Sequence, residues 1–331
     1  MKSIKRVSAL LLIFAIAIVS VFSIQVFASS NTMKVHYIDV GQGDAVLIES
    51  NSKYMLIDAG REKNTVADYL KKQKIKKLDY LILTHPDADH IGGSISIVNN
   101  YTIGKIIMPN KSHTSKTYEN LLLAIKKKGL KITKPKVGTE YEIGDAEFTI
   151  IAPNKTYSDN NNSSIGLKLE NGDTSFLFIG DAEEKAINDI IKNKIDISAD
   201  VLMVGHHGSD SSTTEELIDA VDPDSAVISV GKNNYGHPTD SVLDMLSNHG
   251  VDIYRTDESR TIIATSNGKS VAIDADIFEH EAIENDSQIV YVTKTGKKYH
   301  RENCSALKNK IETTLDDALS KGLTPCEICN P

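Results

Sequence analysis

Two imidazoles and two carboxylates fall within six residues at His85-Pro86-Asp87-Ala88-Asp89-His90, directly after a largely apolar run from Leu78 to Leu83 that Asp79 alone interrupts. A run of that length and composition reads as a buried strand, so the polar cluster begins where a strand leaves its sheet. Four such groups crowded together favour a divalent cation, whose charge offsets the repulsion between carboxylates. Imidazole nitrogen and carboxylate oxygen are ordinary ligands of such an ion, at about 2.0–2.2 Å for zinc. One local loop has too few well-aimed donors for two ions. Distant segments must therefore contribute, and this constrains the fold: they must end at the same place.

Several later segments meet that condition. Asp181 follows Phe178-Ile179-Gly180 at a strand end, His206 and His207 follow the apolar run Val201 to Val204, and His237 follows Tyr235-Gly236 after another strand. Any one of them alone reads as a surface or capping residue; their repeated placement after strands points to one shared site. Short apolar runs of strand length at Met33–Val40, Ala45–Glu49, Tyr54–Ile57, Ile103–Met108, Glu147–Ile151, Ser164–Leu169, Ser175–Ile179, Ala226–Val230, Val251–Arg255, Thr261–Thr265 and Val271–Ile273 alternate with helical patterns at Thr65–Gln73, Tyr118–Lys128, Ala182–Lys192, Ser211–Val221 and Thr239–Leu246. Interspersed helices of this kind fit two mixed sheets covered by helices, an α/β (α+β) chain. Periodicity by itself does not separate one large sheet from two packed ones.

The N-terminus carries Lys2, Lys5 and Arg6 before an apolar run from Ala9 to Val26, then Val26-Phe27-Ala28 before Ser29. This is the pattern of a signal peptide over residues 1–28, cut after Ala28. At 18 residues the run also reaches the lower end of spanning length, which keeps an uncleaved anchor as the alternative. Either way the body is expected outside the cytoplasm. The formal charge of -8 disfavours a uniformly basic nucleic-acid binder, so any phosphate contact must be local. Lys71, Lys72, Lys74, Lys76 and Lys77 form one basic stretch and Lys126, Lys127, Lys128, Lys131, Lys134 and Lys136 another; each suits backbone phosphates or simply water.

All three cysteines lie in the tail, at Cys304, Cys326 and Cys329, and His300 precedes the first by four positions. An odd count in an exported chain leaves one thiol unpaired. Two local pairs, His300/Cys304 and Cys326/Cys329, are the ligand set of a closed tetrahedral zinc site; a Cys326–Cys329 disulfide is the alternative and leaves Cys304 and His300 unexplained. The polar stretch 279–290 is expected to link a body over 33–278 to this small domain over 291–331, with a helix near Thr314–Lys321. Lys294, Lys297, Lys298 and Arg301 are candidates to hold DNA or an anionic wall polymer.

Four stretches, Asp39-Val40-Gly41-Gln42-Gly43-Asp44-Ala45, Thr84 to Gly93, Phe178-Ile179-Gly180-Asp181 and Gly205-His206-His207-Gly208-Ser209, together with Gly236-His237-Pro238, resemble the metallo-β-lactamase-fold hydrolases. Within them the chain is most similar to the hydrolase domain at the end of the bacterial DNA-uptake channel protein ComEC and its exported, free-standing relatives. The resemblance implies an αββα sandwich over roughly Met33 to Asp276, with the metal site at one edge. It implies His85 and Asp87 as ligands of a first metal, Asp89 and His90 as ligands of a second, Asp181 as the bridging carboxylate and His237 as the last histidine ligand. One of His206 and His207 would coordinate metal or act on the leaving group. Asp58 would brace the signature loop, and Asp44 would anchor that loop or approach the metal through water. Asp87 stands where the broad family has histidine, and Asn161, Asn162, Ser163 and Ser164 occupy the region of a central histidine; both departures follow the DNA-uptake branch. The tail is similar to short Cys-rich domains attached to some of these exported hydrolases.

The expected chemistry is hydrolysis by water activated between two divalent ions, zinc or manganese, with one further structural zinc in the tail. Asp89 would orient the water or take its proton, His206 or His207 would protonate the departing oxygen, and Ser209 with nearby amides would hold phosphate oxygens. DNA is the expected substrate and partner, with a small phosphodiester as the alternative, transient membrane or cell-wall association, and no obligate protein partner. Rival readings are a β-lactamase, which the Asp87 departure and the basic stretches fit poorly, a small phosphodiester or lactone hydrolase, and a non-catalytic metal-binding surface module.

Overall fold

The computed structural model describes residues 31–280 and 289–329. The leader, its cleavage point after Ala28 and most of the linker expected over 279–290 lie outside the described residues.

The body holds two mixed sheets. The first begins with an antiparallel meander of β1 (Met33–Tyr37), β2 (Val46–Ser50) and β3 (Lys53–Ile57), continued in parallel by β4 (Lys77–Ile82), β5 (Thr102–Ile107) and β6 (Ile132–Thr133). The second repeats the scheme. Antiparallel β7 (Glu140–Ile143), β8 (Ala146–Ala152), β9 (Gly166–Asn171) and β10 (Thr174–Phe178) lead into parallel β11 (Val201–Met203), β12 (Ser225–Ile228) and β13 (Asp252–Arg255). The chain then returns to the first sheet, where β14 (Ile262–Ser266) pairs with β1 and β15 (Val271–Asp274) forms the edge.

Three apolar clusters separate the layers. One joins the facing sheets through Tyr37, Phe148, Phe176 and Phe178, with Tyr37 stacked on Phe178 at 6.3 Å between ring centroids. Burying each such side chain stabilises the fold by roughly 1.5–3 kcal/mol. The other two clusters pack helices onto the outer faces. The order is helix, sheet, sheet, helix, the sandwich expected from the resemblance.

The helices follow their apolar spacing. Helix Thr65–Lys72 buries Val66 and Leu70, four residues apart on one face. Helix Lys116–Lys127 buries Leu121, Ala124 and Ile125 and is capped by the Ser115 hydroxyl, which accepts from the Tyr118 N–H. One short helix, Ala88–Ile91, begins within the signature segment and a second, Ser94–Asn100, follows it; no helix was expected at either place.

The topology fixes the site. Strands β3, β4 and β5 run parallel in one sheet, and β10, β11 and β12 in the other. Their C-terminal ends carry Asp58, the Thr84–His90 segment, Asp181 and His206-His207 to one edge of the sandwich.

The tail forms two small ribbons, Ile289–Val292 with Ile311–Thr314 and Lys298–Tyr299 with Thr324–Pro325, and one helix, Leu315–Ser320. Its apolar cluster is built on Val290, Tyr299 and Ala318.

Candidate metal centre

Asp58 is the buried keystone of the signature loop. It follows β3 directly and takes a left-handed backbone with φ of 56°, a conformation an aspartate tolerates better than most residues. Its carboxylate accepts from the Thr84 N–H (2.8 Å) and the Thr84 hydroxyl (2.6 Å) and lies 2.8 Å from His90 Nδ1. Burial pushes its carboxyl up, against the pull of His90 and Thr84. With Nδ1 engaged, His90 turns Nε2 toward Asp181 Oδ1, 3.2 Å away.

The loop before β2 clamps the same segment from the other side. Asp44 N–H donates to the Asp89 carbonyl (3.2 Å) and Gly60 N–H to the Asp44 carbonyl (2.8 Å). A Cβ on Gly43 would lie 2.3 Å from the Asp89 carbonyl oxygen, and the residue's φ is 146°, so only glycine fits. Asp44 carboxylate oxygens lie 3.2 Å from His207 Nδ1 and 3.9 Å from His90 Nδ1, behind both rings.

Around Asp181 the imidazoles converge. His85 Nε2 lies 3.7 Å, His206 Nε2 3.7 Å and His207 Nε2 4.0 Å from Asp181 Oδ2. His207 Nε2 also lies 3.9 Å from Asp89 Oδ2, while its Nδ1 donates to the Ser229 carbonyl at 2.9 Å. Ligand atoms of His85, His90 and Asp181 all fall within 4.8 Å of one another, and so do those of Asp89, His90 and His207. Asp87 Oδ2 joins the first set's edge, 3.6 Å from His85 Nε2.

The electrostatics follow from this packing. Burial pushes the His85 imidazole well below its ordinary value. Burial acts the same way on His90 and His207, but the surrounding carboxylates prevail; His207 is raised to about 9, chiefly by Asp44 and Asp181. Asp181 is held well below the carboxylate range because His90, His207 and His85 outweigh its burial. A bound divalent ion must displace the imidazole protons, so its affinity is linked to pH.

The donor set fits such ions. Nε2 of His85, His90 and His207 and Oδ1 of Asp181 are buried without hydrogen-bond partners, a state that folded proteins avoid. They face one another, and nitrogen with carboxylate oxygen suits zinc or manganese. These ligand sets are those of a metal-dependent hydrolytic site.

Other expected residues take different places. His237 belongs to neither tight set. Its loop is tied by Asn233, whose Oδ1 accepts from the His237 N–H (3.1 Å) and whose Nδ2 donates to the His237 carbonyl (2.7 Å), and its ring packs 5.4 Å from His206 and 5.8 Å from Tyr235. His237 Nδ1 is buried without a hydrogen-bond partner, and His207 belongs to one of the two sets. His206 sits beside the cluster with Nδ1 3.7 Å from Glu183 Oε1. Both histidines have left-handed backbones, φ 49° and 59°, a strain of about 1–3 kcal/mol each. Ser209 makes its side-chain contacts inside its own turn, with Ser211 Oγ at 2.9 Å and the Ser211 N–H at 3.3 Å, not with the cluster.

Four further side chains reach these residues. Asn160 donates to Asp87 Oδ1 (2.8 Å), His113 Nε2 lies 3.6 Å from the same oxygen, Ser164 Oγ lies 3.3 Å from His85 Nδ1, and Arg61 Nη2 lies 3.4 Å from Asp89 Oδ2. Ser164 stands in the region where the family's central histidine was absent.

In the tail, one ligand atom each from His300, Cys304, Cys326 and Cys329 falls within 4.8 Å of the others. All three cysteines are free thiols, so the disulfide alternative is not formed. Backbone N–H groups of Cys329 and Ile328 hold the Cys326 thiol below its usual range. Lys298 is paired with Glu327 at 2.6 Å, which leaves it less available to an anion than expected.

Known proteins are similar in sequence to most of this chain over part of their own length. Bacillus subtilis (strain 168) ComE operon protein 3 is 35% identical over 255 residues, covering 70% of this chain and 33% of that protein. Recombination protein 2 of Haemophilus influenzae is 34% identical over 254 residues, covering 73% and 30%, and competence protein ComA of Neisseria gonorrhoeae is 30% identical over 229, covering 67% and 30%. The chain spans about a third of the length of these relatives. Among solved structures, the metallo hydrolase Igni18 from Ignicoccus hospitalis aligns with a TM-score of 0.49 at 17% identity, over 70% of this chain and 98% of that one. The diiron β-hydroxylase CmlA from Streptomyces venezuelae aligns at 0.49 and 16%, over 69% and 53%. The model of the metallo-beta-lactamase superfamily matches residues 38–232, which run from the loop that clamps Asp89 to the loop after β12. With its sandwich and its converging histidines and aspartates, the chain belongs to the metallo-beta-lactamase superfamily.

Proposed function

We propose that this protein is an exported, metal-dependent phosphodiesterase that cleaves DNA. The observation that carries the reading is the ring of unpartnered Nε2 atoms of His85, His90 and His207 around Asp181. His85, Asp87 and Asp181 would hold one divalent ion, and Asp89, His90, His207 and Asp181 a second. When bound, such a pair lowers the pKa of a water and neutralises charge on a phosphoryl oxygen.

The chain's own residues supply the rest. Asp89 takes the proton of the attacking water, within reach of the Arg61 guanidinium, which also offers a cation to a substrate phosphate. Because His207 Nδ1 donates to Ser229 and its Nε2 would be taken by the second ion, protonation of the departing oxygen falls to His206, which is partly exposed beside Asp181. DNA as substrate is supported by the similarity to competence proteins. Export is supported by the charged and apolar leader; N-terminal sequencing of the mature protein should begin at Ser29.

The test is an assay of the purified chain on linear, circular and single-stranded DNA with manganese, magnesium and zinc, with Asp89→Asn as control. Nicking of circular DNA supports the reading. Turnover of bis-p-nitrophenyl phosphate alone points to a small-diester hydrolase, and metal binding without any hydrolysis to a non-catalytic module; either result overturns it.

A further inference from the structure

The two loops that reach Asp87 from outside the signature segment also wall a second cavity. The loop after β5 carries His113, and the loop after β8 carries Asn160 and Ser164, which contact Asp87 and His85 respectively. Between these loops lies a cavity of about 260 Å3 whose lining includes Lys111, Lys134, Lys155, Asn110, Thr156 and Ser163. Its lining residue Ser163 is the chain neighbour of Ser164, whose Oγ lies 3.3 Å from His85 Nδ1.

Its charge is unusual for this chain. The protein carries a net charge of -8, yet three lysines and no carboxylate line this cavity. The Lys111 ammonium donates to the carbonyls of Tyr157 (3.1 Å) and Ser158 (2.5 Å), which fix its position without neutralising it. Lys155 is partly offset by Asp189, 2.5 Å away. Among the described residues Lys134 has no carboxylate partner. Pro109, Pro135 and Pro153 also line it, and each holds its own φ fixed, which stiffens the wall. A fixed, concave, cationic surface with hydroxyl and amide donors is suited to phosphate oxygens.

We propose that this cavity is a phosphate subsite that holds the backbone of a nucleic-acid strand next to the bond being cleaved, so that the enzyme selects polynucleotides over isolated diesters. This rests on the phosphodiesterase reading above. Lys134 and Lys155 would bind a strand phosphate directly, and Lys111 would add its fixed charge at the wall.

The experiment compares the full chain with the double variant Lys134→Ala/Lys155→Ala and with Lys269→Ala, an exposed lysine in the turn between β14 and β15. The ratio of kcat/KM for a ten-nucleotide single strand to that for bis-p-nitrophenyl phosphate should fall at least tenfold in the double variant and hold in Lys269→Ala. Binding of the labelled strand in an Asp89→Asn background is measured by anisotropy across salt concentrations. Loss of two phosphate contacts should lower the log–log salt slope by about 1.4. An unchanged ratio and slope overturn the subsite while leaving the phosphodiesterase reading intact. If the wild type cleaves neither substrate, that reading fails, and the salt slope alone decides the subsite.

Discussion

His90 Nδ1 rests 2.8 Å from Asp58 Oδ2, and this contact aims the opposite ring nitrogen at Asp181. A carboxylate behind a histidine ligand fixes its tautomer and orientation, and losing it typically costs 10–100-fold in metal affinity. Asp58→Asn keeps the left-handed backbone and the side-chain shape while removing the charge. Manganese or zinc affinity, measured by competition with a chromogenic chelator, should fall by about 10–100-fold. Unchanged affinity would remove Asp58 from its orienting role. Asp58→Ala should in addition destabilise the fold by about 3 kcal/mol, since it strands the buried Thr84 N–H and hydroxyl.

Asp89 is less committed to the fold than Asp58, being partly exposed and paired with Arg61 at 3.4 Å. Asp89→Asn should lower kcat at saturating metal by about 10²–10⁴-fold, the usual reach of a general base, with little change in thermal midpoint. Metal content measured alongside separates loss of the base from loss of the second ion. Full retained turnover would exclude Asp89 as the proton acceptor.

Much of this site was legible because its residues follow apolar strands. Val201 to Val204 announced β11, and the pair His206-His207 could only fall at its end. The helix Ala88–Ile91 was hidden by its length: four residues make barely one turn, too few for an apolar stripe to repeat. His113, Asn160 and Arg61 were invisible because their contacts are made by folding. Asn160 meets Asp87 across 73 positions of sequence, and no local pattern encodes such a meeting. His237, which the resemblance offers as the last histidine ligand, sits on a loop that the Asn233 turn holds beside His206.

A pH dependence follows from Lys168, a buried lysine on β9 whose ammonium lies 2.7 Å from Asp196 Oδ2. The hydrogen bond from Lys168 and those from Ser198 lower the Asp196 carboxyl to about 2. A depressed carboxylate contributes stability above its unfolded pKa, near 4, which is lost as pH falls through about 2. Asp196 is largely exposed, so solvent screening limits the contribution to about 1 kcal/mol. Asp196→Asn should be less stable than the wild type by that amount at pH 7, with the gap closing between pH 4 and pH 2. Urea denaturation at several pH values checks this, and a gap independent of pH would refute it.

The tail offers the sharpest energetic test. Its apolar cluster rests on Val290, Tyr299 and Ala318, and burying three such side chains contributes only a few kcal/mol, at roughly 1.5–3 for a large one. Zinc held by the four tail ligands would add about 10–16 kcal/mol, several times what that cluster contributes. Cys304→Ser and Cys326→Ser should each lose one zinc per chain and become open to protease cleavage beyond residue 289, while the body keeps its thermal transition. Native mass spectrometry counts the ion and limited proteolysis reads the order. A Cys304→Ser tail that resists protease without zinc would mean that the ribbons and the Leu315–Ser320 helix hold together unaided.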